Sequence, residues 1–60
     1  MIYRRHYQEV VWHFCQNCAS WPTERFEERS IEPAREVLCS MCTRRAKELT
    51  CEVMPEPGVS

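Results

Sequence analysis

Sixty residues and 7.2 kDa leave room for one small domain, which excludes a multidomain enzyme, a Rossmann or barrel fold and a deep substrate cavity. Leu, Ile, Val and Phe number only 11, and five of the other hydrophobic positions are cysteine. So thin a core supplies only about 3–5 kcal/mol, so something besides apolar burial must hold the chain.

The net charge of −1 lacks the global basic footprint of a nucleic-acid binder, although residues 37–50 carry a local excess of two positive charges. The opening Met1-Ile2-Tyr3-Arg4-Arg5-His6-Tyr7 is broken by charge and has no apolar core, so no signal peptide is expected, and no run is long enough to span a membrane. With an odd number of cysteines, this favours metal ligation in a reducing cytoplasm over a disulfide framework.

In chain order, Ile2–Tyr7 carries β-branched and aromatic residues suited to a short strand. Val10-Val11-Trp12-His13-Phe14 is a stronger strand candidate running straight into Cys15. Pro22 ends local regularity after Trp21. Residues 24–31 and Glu36-Val37-Leu38, separated by a turn at Pro33, are predicted to form a hairpin. Ser40 is the expected helix N-cap, and Met41–Val53 contains no Pro or Gly. Cys42, Ala46, Leu49 and Val53 then line one face of an amphipathic helix. Residues 55–60 are a breaker-rich tail expected to be disordered, leaving 1–54 as the single domain.

The most specific signal is a repeated pair, Cys15-x-x-Cys18 and Cys39-x-x-Cys42, with 20 residues between. Each pair presents two sulfurs on one side of a tight turn, and four soft thiolates suit one tetrahedral Zn²⁺. Apparent zinc-binding energies of about 10–16 kcal/mol would also supply the missing stability. Local disulfides fit the expected compartment poorly, and a thioredoxin-like redox pair needs a βαβ frame this chain cannot build. Iron in a rubredoxin-like site is the other metal reading, but the glycine that usually follows each such pair is replaced by Ala19 and Thr43.

A knuckle, a hairpin and a helix whose first turn carries the last two ligands resembles the treble clef family of zinc modules. The resemblance implies a small α+β zinc-stapled domain and no particular activity. A zinc ribbon, with the last segment a strand, is the alternative. The string from Trp12 to Pro22 also resembles a stretch of small bacterial proteins, with no activity attached.

Around the expected site, His13 shares a strand face with Cys15 and is expected to hydrogen-bond a sulfur, with ligation as its alternative role. Cys51 lies nine positions past Cys42, on the opposite side of a continuous helix, and is expected to be a free thiol. Trp12 and Trp21 are expected to cover the site, with partner contact as the alternative. Arg44, Arg45 and Lys47, together with Arg4 and Arg5, are the candidate nucleic-acid contacts, the first three otherwise a solvated helix face. Four cysteines would saturate zinc, so the expectation is a non-enzymatic interaction module for a protein partner. A nucleic-acid-binding module is the alternative, and a zinc or redox sensor using Cys51 is a third.

Overall fold

The computed structural model describes residues 1–54; the expected disordered tail lies outside the described residues. The fold is a small α+β unit in which β1 (Tyr3–His6) pairs antiparallel with β2 (Phe26–Arg29), and α1 (Ser40–Lys47) follows a short 3-10 turn at Arg35–Val37. Among the described residues no helix is long and apolar enough to cross a membrane.

Charge and aromatic stacking account for the strand pairing. The register sets Arg4 opposite Glu28 and Arg5 opposite Glu27, and both pairs close as ion pairs, at 2.9 and 3.3 Å. A slip of one residue would match at most one of them. The same arginines lie over rings: Arg4 over Phe26 and Trp21, Arg5 over Trp12, with Arg29 also over Trp12. Their stems therefore shield aromatic surface that a core this small cannot enclose.

The predicted 24–38 hairpin is not formed. Residues 26–29 do form a strand, but its partner is β1, because the glutamates there face the two arginines of β1. Residues 35–37 coil into a 3-10 turn instead of returning alongside. The Val10–Phe14 strand is likewise reduced to two isolated bridges, Arg4 with His13 and Trp12 with Leu38. This short segment is nonetheless the hinge of the fold. His13 exchanges backbone hydrogen bonds with Arg4 on one side, at 2.8 and 2.9 Å. On the other side the Trp12 amide donates to Val37 and the Cys39 amide to Trp12, at 2.7 and 2.8 Å. The two cysteine-bearing segments are thereby fastened side by side.

The helix is shorter than its periodicity implies. Cys39, not Ser40, occupies the N-cap position, and α1 ends at Lys47. Leu49 adopts a left-handed conformation (φ 61°), with its amide donating to the Ala46 carbonyl and the Thr50 amide to that of Arg45. This is a Schellman closure with leucine where glycine is usual. Of the expected apolar face only Cys42 is buried; Leu49 is 92% exposed, and Ala46 and Val53 also face solvent. Among the described residues, the only regular elements that touch are β1 and β2. The helix is held by its first turn and by the segments around it.

The core is correspondingly small and half sulfur. Tyr3, Trp12 and Phe14 pack with Cys15, Cys18, Cys39 and Cys42, and Trp21, Val37, Leu38 and Cys51 lie against them.

Candidate metal centre

Four potential ligands converge in that core. His13 comes from the hinge segment, Cys18 from the turn after it, and Cys39 and Cys42 from the first turn of α1. Their donor atoms all lie within 4.8 Å of one another, and all four residues are buried. Donors bonded to a tetrahedral ion stand roughly 3.5–3.8 Å apart. The Cys18 Sγ to His13 Nδ1 distance of 3.9 Å is already close to that, and the widest separation is looser by about 1 Å. Three thiols and an imidazole are also a chemically suitable set for a borderline-soft divalent ion, so the residues fit a bound metal.

Local sequence explains how each donor is aimed. The amide of Cys18 donates to the Cys15 carbonyl and that of Trp21 to Cys18, which curls residues 15–21 into consecutive turns, with the fully buried Pro22 closing the run. At the helix start, Cys39 as N-cap and Cys42 three residues later fall on one side of the first turn. The unpaired amides and positive dipole end found there favour negative sulfur.

His13 is held from both ends. Its backbone is pinned to Arg4, and its Nε2 lies 3.4 Å from the Glu9 carboxylate. With the ring proton on Nε2 facing Glu9, the Nδ1 lone pair is left facing the sulfurs. Carboxylate–imidazole pairs of this kind fix the tautomer and orientation of metal-ligating histidines.

The Cys42 thiol is pushed up to about 12, chiefly by burial, with the neighbouring Cys39 and Cys18 adding to the rise. The backbone amides of Phe14 and Cys15 pull the other way by hydrogen-bonding toward its sulfur. Without a cation this site therefore holds Cys42 as a neutral thiol, and a metal must displace its proton.

The expected four-sulfur set Cys15, Cys18, Cys39 and Cys42 is not the group the structure assembles. Cys15 is joined to Cys51 in a disulfide, with Cα atoms 5.1 Å apart, and His13 stands among the donors instead of behind them. Nor is Cys51 a free thiol on a continuing helix. The chain reverses at Leu49, and Asn17 clips the returning segment by donating to the Thr50 carbonyl (2.7 Å) and accepting from the Glu52 amide (3.2 Å). The Gln16 amide completes the clip by donating to Glu52, at 2.6 Å.

The remaining candidates separate by exposure. Trp12 is buried beneath Arg5 and Arg29, so it is not available to stack on a partner. Trp21 is half-buried with Arg4 across its ring. Arg44 and Lys47 are exposed, Arg44 pairing with Glu48, while the Arg45 side chain is half-buried. Sequence reasoning missed Glu9 and Asn17. Two surface clefts, one along His6–Glu9 with Glu24 and Arg25 and one between Phe14, Glu32 and α1, include none of the four donors.

Compared with protein-family models, with curated proteins and with solved structures, the chain matches none of them.

Proposed function

We propose that this protein is a non-enzymatic interaction module stapled by one Zn²⁺, held by His13, Cys18, Cys39 and Cys42. The observation that carries this reading is the convergence of four buried donors from three segments, within 4.8 Å of one another. A closed set of four protein ligands leaves no position for water or substrate, as in structural rather than catalytic zinc sites. Helix α1 carrying the last two donors on its first turn supports a treble-clef-like arrangement over a ribbon, whose final segment is a strand. The partner is a protein. Its attachment is favoured by the exposed Tyr7, Val10, Ile31 and Leu49, whereas a nucleic acid would meet a net charge of −1 and a covered Trp12.

Protein purified without added metal should contain one zinc per chain and lose its circular dichroism signature when a chelator removes it. Substoichiometric zinc, or an unchanged spectrum after chelation, overturns the reading. Partner binding should be largely insensitive to salt; a steep loss of binding with salt, relieved by replacing Arg44 and Lys47 with Ala, marks a nucleic-acid ligand instead.

A further inference from the structure

Four of the five cysteines share one buried cluster with Cys51 packed against it, and a single covalent bond holds one of the four, Cys15, apart from the other three. Cys15 belongs to the same buried cluster as Cys18, Cys39 and Cys42. Its sulfur lies 3.5 Å from the Cys42 carbonyl, and its amide hydrogen-bonds toward the Cys42 sulfur. The Cys15 side chain is fully buried, while its partner Cys51 is only half-buried, its sulfur 3.9 Å from the Phe14 carbonyl. His13 occupies the fourth donor position with Nδ1 facing Cys18, and its other ring nitrogen has a second partner in Glu9. The cluster thus offers five candidate ligands for four positions, and the fifth, Cys15, is engaged in the bond to Cys51.

We propose that the Cys15–Cys51 disulfide selects the fourth metal donor: oxidised, the centre uses His13 with Cys18, Cys39 and Cys42; reduced, Cys15 displaces the His13 imidazole and completes a four-thiolate set. The proposal rests on the metal reading above. The direction follows from charge and softness. Thiolate is a softer and more strongly charged donor than imidazole, and a freed Cys15 thiolate is tethered three residues from Cys18, which stays ligated throughout. The released imidazole keeps its contact with Glu9.

The redox step is thiol–disulfide exchange with a low-molecular-weight disulfide as oxidant. The accessible Cys51 thiolate attacks one sulfur of that reagent, forming a mixed disulfide and expelling one small thiolate. The Cys15 thiolate then attacks the Cys51 sulfur, closing the protein disulfide and expelling the second. Two protein thiolates lose two electrons, and the small disulfide gains them as it becomes two thiolates.

Cobalt(II) loaded in place of zinc reads the donor set directly. Disulfide-intact protein should show a tetrahedral spectrum of three sulfurs and one nitrogen. After reduction with a phosphine, which takes up the oxygen of a water as the disulfide gains its electrons, the visible bands should move to longer wavelength. The sulfur-to-cobalt charge-transfer band should grow by about one third, the ratio of four thiolates to three. Cys51→Ser should show the four-sulfur spectrum without reductant, and Cys15→Ser the three-sulfur spectrum with or without it. His13→Ala should retain tetrahedral cobalt only when reduced. A wild-type spectrum that is tetrahedral but identical in both states overturns the exchange and leaves the metal reading standing. The absence of tetrahedral cobalt in both states overturns the metal reading and the exchange with it. Because the decisive comparison uses the wild-type chain, failure of a variant to fold does not remove the test.

Discussion

At Cys39 and Cys42 the two sulfurs of a pair stay together and face the same two other donors, those of His13 and Cys18, carried by the first turn of a helix. At Cys15 and Cys18, with the same spacing, the sulfurs part: Cys18 joins the donor group and Cys15 is bonded to Cys51. What precedes each pair makes the difference. The second pair follows Leu38, locked to Trp12, and enters a helix that fixes both side chains. The first follows His13 and Phe14 and enters consecutive turns, where a histidine stands among the candidate donors and the segment returning through Cys51 takes Cys15. Spacing alone brings sulfurs near a metal; the competitors around them determine which ones bind.

That contrast predicts unequal consequences for removing each sulfur. In disulfide-intact protein, Cys42→Ser or Cys39→Ser deletes a donor that no other residue replaces, so zinc stoichiometry should fall to near zero and the folded circular dichroism signal should disappear, because metal binding worth about 10 kcal/mol or more is lost. Cys15→Ser should keep one zinc and stay folded. It should lose the disulfide that closes a separation of 36 residues, worth about 3–4 kcal/mol on chain-entropy grounds and readable in a thermal melt. Equal losses for Cys15→Ser and Cys42→Ser would mean that the two pairs are used alike.

Acid should sharpen the same distinction. Cys42 holds its proton up to about 12 in the metal-free fold, so at every pH below that the metal must expel it. Affinity should therefore weaken as pH falls, by about tenfold per unit for each proton displaced. Competition titrations between pH 6 and 8 measure this directly. An affinity that does not change with pH would remove Cys42 from the ligand set.

Glu9 sets a smaller effect, on the side of the first pair. Replacing it with Gln or Ala should free the His13 ring and reduce zinc affinity by about 10- to 100-fold in disulfide-intact protein. On the donor exchange proposed above, the reduced protein should be spared, because Cys15 then serves in place of His13. An equal loss in both redox states would show that Glu9 acts on the fold and not on the ligand.

How far these features could be read in advance varies with the physics that set them. The two cysteine pairs, the short first strand and the helix after Cys39 are local, and spacing and propensity show them. The pairing of β1 with β2 depended on the long-range match of Arg4 and Arg5 to Glu28 and Glu27, which was present in the charges but outweighed by the apparent turn at Pro33. Ligation by His13 was legible as an alternative, but its contact with Glu9, four residues earlier, is visible only once the chain bends between them. The partnership of Cys51 with Cys15 was hidden by an assumption of helical continuity through Leu49, a residue that carries no conventional stop signal.

Leu49 is therefore where the smallest and cleanest test lies. A leucine in the left-handed region costs about 1–2 kcal/mol because its Cβ crowds the following carbonyl, and at 92% exposure this one recovers nothing by burial. Glycine removes that crowding but adds about 0.4–1 kcal/mol of unfolded-chain entropy. Leu49→Gly should then stabilise the fold by a net of about 0.5 kcal/mol, a rise of roughly 2–4 °C in melting temperature for a chain this short. Leu49→Ala keeps the Cβ and should change little, so it separates backbone relief from loss of an exposed apolar side chain. Since the reversal at Leu49 delivers Cys51 to Cys15, the glycine variant should also close the disulfide at a lower ratio of oxidised to reduced small thiol than wild type. A higher ratio would mean that the left-handed leucine is not what limits the reversal.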